Sequence, residues 1–241
     1  MTKFYALSDW HIPGHTMDQY GPEWIDHHEK LRVNICKKLK KEDILLAPGD
    51  LINANNPDIA QPSFEFIEKL TCRVILCQGN HDQWADRNPE DYETLLPPNM
   101  QVLRGTAITI GNVAISGAMF WCFNCAFPWE GHVGIMRRLG KHQNQELEIL
   151  RKALAALTSY DDSYKKILML HFPPISDKGE PNIFTSMIEA AHVDICIYGH
   201  VHGQKEYIPG CDTKIGNTRY MLVSADYRNF DPIEINFDQP V

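Results

Sequence analysis

The sequence predicts an α/β fold, and three observations predict it. Short apolar runs that read as strands alternate with stretches whose apolar residues recur at three- and four-residue spacing. The chain has 241 residues, 44% of them hydrophobic, which is enough for a full core. Polar motif residues follow the apolar runs directly, as they do where an α/β sheet gathers ligands at its strand ends. Folds of roughly 200–250 residues are common as one α/β unit, so residues 1–241 are expected to form a single domain.

The elements follow in order. Residues 3–8 read as a strand, and Trp24, His28, Leu31, Ile35 and Leu39 mark one face of a helix opened by Pro22. A strand at 44–47, a helix around Phe64, Ile67 and Leu70, and a buried strand at 73–77 come next. After Pro97-Pro98 the pattern changes to short β segments at 102–103, 107–110 and 113–116, which Gly105 and Gly111-Asn112 punctuate as turns; these are expected to begin a second sheet. Leu147, Leu150, Leu154 and Leu157 mark another helix, then come a strand at 166–170, a helix at 184–191 and strands at 195–198, 220–224 and 233–237.

Composition bounds the setting. With 23 basic and 31 acidic residues the net charge is −8, and the lysines at 37, 38, 40 and 41 read as favouring a helix C-terminus. This argues against non-specific binding to a nucleic-acid backbone, which needs an electropositive face. No run approaches the roughly 20 apolar residues of a membrane span, and residues 1–7 do not read as a secretory signal. The odd count of 7 cysteines fits a reducing compartment, so a cytoplasmic location without membrane association is expected. Cys122-Phe123-Asn124-Cys125 lacks a second CxxC and reads as two partly buried thiols in an aromatic segment.

Chemistry is carried by short motifs in a fixed order: Asp9-Trp10-His11, Gly49-Asp50, Gly79-Asn80-His81-Asp82, His171 and Gly199-His200-Val201-His202. Carboxylate, amide and imidazole donors suit divalent Mn, Fe or Zn, and the lack of thiolates in the set argues against a structural zinc or an iron–sulfur cluster. Asp9, Asp50, Asn80, His171 and His200 each fall at the C-terminal end of an expected strand. A lone buried histidine or aspartate is more often a satisfied core residue than a ligand; the ordered set reverses that.

The order D-x-H, G-D, G-N-H-D, H, G-H-x-H resembles the calcineurin-like metallophosphoesterase superfamily from Asp9 to His202. The segments Tyr20-Gly21-Pro22-Glu23-Trp24, His171-Phe172-Pro173-Pro174, Tyr198-Gly199-His200 and Ser224-Ala225-Asp226-Tyr227-Arg228-Asn229-Phe230 further resemble a bacterial subgroup of predicted phosphohydrolases. The resemblance implies one metal ion on Asp9, His11, Asp50 and His202 and a second on Asp50, Asn80, His171 and His200. Asp50 would bridge them, since a shared carboxylate reduces the repulsion between cations about 3.5–4 Å apart. Two divalent ions, Mn or Fe with Zn as a further option, would leave the site about +2 against Asp9 and Asp50, which suits an anionic phosphoryl group attacked by a metal-bridging hydroxide.

His81 is by resemblance not a ligand but a group that protonates the leaving alkoxide or binds a phosphoryl oxygen, with a hydrogen-bonding role beside the ligands as the bland alternative. Asp82 would orient or charge-balance it, or else cap the helix that follows. Where the protein Ser/Thr phosphatase branch has an Asp three residues after Gly-Asp and then an Arg, this chain reads Asn53-Ala54. Asn53 can hydrogen-bond His81 but cannot stabilise an imidazolium as a carboxylate would, which argues against protein phosphatase activity.

Residues 120–138 hold Phe120, Trp121, Phe123, Phe127, Trp129, His132, Arg137 and Arg138. Trp129, Arg137 and Arg138 are candidates to stack a base and grip a phosphate of a small, nucleotide-like substrate, against the alternative that the aromatics pack a long loop. The expectation is an α/β four-layer sandwich, two mixed β-sheets flanked by helices, that hydrolyses phosphoesters with a lean to diesters. The alternatives are a phosphomonoesterase, for which Arg137, Arg138 and Lys178 would be the cationic contacts, and an inactive scaffold module of the same fold.

Overall fold

The computed structural model describes residues 2–13, 17, 20–86, 89–121 and 143–238. Strands β1 (Phe4–Ala6), β2 (Ile44–Pro48), β3 (Arg73–Cys77) and β4 (Met100–Leu103) run parallel to one another, and β11 (Ile233–Glu234) closes that sheet antiparallel to β1 in the order β11-β1-β2-β3-β4. In the second sheet β6 (Val113–Ala118), β7 (Lys165–Leu170), β8 (Ile195–Tyr198) and β10 (Thr218–Leu222) are parallel. Its edges are β5 (Ala107–Ile110) and β9 (Asp212–Ile215), antiparallel to their neighbours, in the order β5-β6-β7-β8-β10-β9.

The strands lack apolar–polar alternation because both of their faces are covered. Phe4, Ala6, Ile44, Leu46, Ile75 and Cys77 of the first sheet meet Ile115, Ile167, Met169 and Ile197 of the second. The alternate residues Tyr5, Leu45, Ala47, Val74 and Leu76 face the helices α1 (His27–Lys38) and α2 (Pro57–Glu68). On the far side Ala114, Leu168, Leu170, Cys196 and Tyr220 face α3 (Gln143–Thr158) and α4 (Ile183–Ala190). The result is the expected four layers, helices on sheet on sheet on helices, with each fully buried Leu or Ile contributing about 1.5–3 kcal/mol.

Several expectations need correction. Pro22 opens a separate 3-10 turn, Pro22–Trp24, and the chain then breaks at Asp26 (φ 53°) before α1 starts. That break resets the helical face, so His27, not His28, is buried with Leu31 and Ile35. Residues 102–103 belong to β4, which pairs with β3 in the first sheet, because Met100 and Val102 pack into the core under α1 and α2; the second sheet begins at Ala107. The strand expected at 220–224 runs from Thr218 to Leu222, and that at 233–237 shortens to Ile233–Glu234. Strand β9, Asp-Thr-Lys-Ile, is too polar to be seen in the sequence and is held as an edge by β10.

At one end the sheets are tied together. Ser8 bridges Ser224, with Ser8 N–H donating to Val223 O at 2.9 Å and Ala225 N–H donating to Ser8 O at 3.0 Å.

Candidate metal centre

Because β1, β2, β3, β7 and β8 are parallel within their sheets, the loops that leave their C-terminal ends converge. Asp9 and His11 follow β1, Asp50 follows β2, Asn80 follows β3, His171 follows β7, and His200 and His202 follow β8. The backbone at Asp9, His11, Asp50 and His200 is left-handed, with φ of 58°, 48°, 55° and 70°. Such conformations are costly for residues with a Cβ and gather at functional sites, where the surrounding fold enforces them. Two motif glycines permit the close approach: a Cβ on Gly79 would fall on the Asp50 carboxylate, and one on Gly199 would fall on that of Asp9.

Among the described residues the side chains meet in three overlapping groups, Asp9 with His11 and His202, His11 with Asp50 and His81, and Asp50 with His171 and His200, the ligand atoms of each lying within 4.8 Å of one another. His11 Nε2 is 3.0 Å from His202 Nε2, 4.0 Å from Asp9 Oδ1 and 3.9 Å from Asp50 Oδ2. His171 Nε2 is 3.3 Å from Asp50 Oδ2, 2.9 Å from Asn80 Oδ1 and 3.3 Å from His200 Nδ1. Asp50 therefore lies between the groups.

The hydrogen bonds behind the rings test whether cations fit here. His171 Nδ1–H donates to the Pro48 carbonyl at 3.1 Å, and His202 Nδ1–H to Asp226 Oδ1 at 3.1 Å. His11 Nδ1 faces Asn53 Oδ1 at 2.9 Å. In neutral rings each Nε2 is then a lone pair, and these lone pairs point at one another and at carboxylate and amide oxygens. Acceptors converging on acceptors need a proton or a cation between them. Burial opposes charge on His171, yet Asp50 holds its pKa up at about 9, and Asp226 and Asp9 likewise raise His202 well above the ordinary value. Both rings thus favour a positive charge at these nitrogens, and the oxygen and nitrogen donors suit divalent ions.

The remaining electrostatics are consistent with a carboxylate centre in an imidazole shell. Burial would raise Asp9, but His202 and His171 bring it down to about 2; Asp50 is lowered too, by His171, His11 and His81 against burial. Burial depresses His11 to about 4, so its ring is neutral near pH 7.

Two expected roles change. Asn53 bonds His11 rather than His81, because the loop after β2 runs beside that after β1, where Ile12 and Ile52 form a bridge. Asp82 neither orients the His81 ring nor caps the following turn through its side chain. Its buried carboxylate accepts N–H bonds from Asp50 (2.7 Å), Gly79 (2.9 Å) and Ile52 (2.9 Å), so it fastens the Gly79-Asn80 loop to the Gly49-Asp50 loop. Burial and the nearby Asp50 charge push it up to about 7. His81 sits exposed at the rim, its backbone N–H on Asp50 Oδ1 at 2.7 Å and its ring centroid 5.0 Å from that of His11.

Asp226 and Trp24 are the residues that motif reading left without a role. Asp226 holds His202 through Oδ1 and the Gly203 N–H through Oδ2 at 2.7 Å. Its signal was its position just past β10, a further parallel strand end. Trp24 is buried with its ring edge-on to His11 (6.0 Å) and His202 (5.4 Å), fixing both from behind. Phe120 packs on Phe184 and Trp121 on Phe172; Phe123, Phe127, Trp129, His132, Arg137, Arg138 and the Cys122/Cys125 pair lie outside the described residues. Lys178 is exposed on the loop after β7.

The fold and the converging donors define a phosphoesterase of the two-metal kind. The chain belongs to the calcineurin-like phosphoesterase family, which matches residues 2–204. It is a metal-dependent enzyme that hydrolyses phosphoesters, and the family is binuclear. A probable cyclic nucleotide phosphodiesterase of Synechococcus sp. is 24% identical over 210 residues, 82% of this chain and 70% of that protein. Among solved structures the chain is similar to a phosphopantetheinyl hydrolase from Mycobacterium tuberculosis (15% identity, TM-score 0.57, covering 99% and 97% of the two chains). A protein of unknown function from Aquifex aeolicus is also similar (17% identity, TM-score 0.53, 97% and 96% covered). Among the described residues no helix is long and apolar enough to cross a membrane.

Proposed function

We propose that the enzyme cleaves phosphodiesters, with one divalent ion held by Asp9, His11, Asp50 and His202 and the other by Asp50, Asn80, His171 and His200. Mn or Fe suits this mixed imidazole and carboxylate set, with Zn also compatible. The observation that carries the diester reading is the chemistry around the two carboxylates: among the described residues their polar neighbours are imidazoles, a hydroxyl and backbone N–H groups. A diester monoanion is matched by the ions, whereas a monoester dianion would call for a further cationic clamp. The Synechococcus relative, a probable phosphodiesterase, supports the same reading.

When bound, the ions supply an activated water and stabilise charge on the phosphoryl oxygens. The chain's own residues do the rest. Asp226, Asn53 and the Pro48 carbonyl fix the tautomer of His202, His11 and His171 so that each presents Nε2 to the centre. His81, at the exposed rim, protonates the departing alkoxide. The free thiols at Cys36, Cys72, Cys77, Cys196 and Cys211 favour a reducing, cytoplasmic setting.

The reading is tested by turnover after loading with Mn, Fe or Zn. A kcat/KM at least tenfold higher for bis-p-nitrophenyl phosphate than for p-nitrophenyl phosphate is expected. The reverse order would make the enzyme a phosphomonoesterase, and no turnover with both ions bound would make it an inactive module.

A further inference from the structure

A cleft of about 520 Å³ opens beside His81. That volume lies within the roughly 300–1,000 Å³ of small-molecule sites. Its lining comes from the loop after β1, the β2 to α2 connection with the first turn of α2, and the turn after β3, next to the segments that carry Asp9, Asp50 and Asn80. Met17 and Ile59 provide apolar surface and Tyr20 an aromatic ring; Asn55 and Gln83 provide carboxamides, and His81 forms the end nearest the metal centre. Among the described lining residues there is no lysine, arginine, aspartate or glutamate.

We infer that this cleft holds the esterified alcohol of the substrate, and that the alcohol is a nucleoside. The assignment rests on the diester reading given above. A group bound here can keep its oxygen within reach of His81 while the phosphoryl group stays on the metal centre. The lining then selects its chemistry. The described lining residues carry no formal cation that would reward a second phosphate, which confines charge to the scissile group. An aromatic ring with flanking apolar side chains suits a planar partner, and carboxamides carry both donors and acceptors, which matches the mixed edge of a base. Tyr20 and Ile59 are 63% and 51% exposed, large apolar surfaces left to solvent at the mouth of the site. Their exposure makes them available to stack and to pack against a ligand, and it also makes their substitution tolerable for the fold.

The test uses metal-loaded protein and two separate readouts. The first is titration with adenosine, which has no phosphate and is not turned over, followed by calorimetry. Wild type should bind it, Tyr20→Ala should weaken binding about tenfold, in the range of one stacked base, and Tyr20→Phe should keep it. The second is turnover of methyl p-nitrophenyl phosphate, a diester too small to fill the cleft, which should be the same in all three proteins. Turnover of that diester with no adenosine binding, or with binding indifferent to Tyr20→Ala, would overturn the inference and leave the hydrolase reading intact. Adenosine binding that depends on Tyr20 without any diester turnover would sustain the nucleoside site and overturn the diester reading. Loss of both with an unchanged melting temperature would count against the cleft as a selective site.

Discussion

His11 Nε2 and His202 Nε2 lie 3.0 Å apart, although each ring has its Nδ1 turned to an oxygen, of Asn53 and Asp226 respectively. Such a pair is repulsive in its neutral state and is stabilised by a cation shared between the rings. Asp50 stands 3.9 Å from His11 Nε2 and 3.3 Å from His171 Nε2, in position to serve both ions. Asp50→Ala is therefore expected to lower occupancy at both positions, and His202→Ala mainly at one. Elemental analysis of the loaded variants measures this, and a single tightly bound ion in fully loaded wild type would contradict the two-ion centre.

Asp226 acts through His202 and not on the substrate. Asp226→Asn should weaken binding of one ion by about 10- to 100-fold, as for other carboxylates behind a metal-binding histidine. Activity should return at high metal concentration with KM unchanged, and a defect that excess metal does not repair would rule out the positioning role.

Metal and protons compete for the same nitrogens. In the metal-free protein the His171 pKa is raised from 6.5 to about 9, so its charged-pair stabilisation is complete below pH 6.5 and fades as pH rises through about 9. The melting temperature of chelator-stripped protein should therefore fall from pH 6.5 to 9. Metal affinity should rise over the same window, because fewer protons must leave. Unfolding scans of stripped and loaded protein across that range should show the gap between them widening; a gap that narrows would refute the competition.

His81→Ala should keep both ions yet lose about 10²- to 10⁴-fold in rate on diesters with poor alkoxide leaving groups. The loss on p-nitrophenolate, which needs little protonation, should be much smaller. Equal losses on both would place the ring on the phosphoryl oxygens, and loss of metal would make it a ligand.

Asp82→Ala leaves the N–H groups of Asp50, Gly79 and Ile52 without their buried acceptor. Each orphaned donor costs about 1–3 kcal/mol. Thermal unfolding should show a large fall, about 2–4 °C for each kcal/mol in a chain of this size. A melting temperature within a degree of wild type would mean the loops are held together some other way.

The sequence by itself determined most of the strand and helix pattern, the seven residues that converge at the strand ends and the class of chemistry. It could do so because those properties are local: apolar runs, helical spacing, and short motifs placed directly after strands. The partners of Asn53 and Asp82 were decided by tertiary structure. Both side chains answer to a loop that is distant along the chain: Asn53 to His11 from 42 residues away, and Asp82 to the backbone of Asp50 from 32 away. Asp226 is 24 residues from His202 and became a partner only when β10 was laid beside β8. The same holds for β4, whose few residues could have paired in either sheet until the packing of Met100 under α1 and α2 fixed it beside β3. Sequence spacing sets which groups can reach a strand end, and the parallel register of strands from distant segments sets which of them meet.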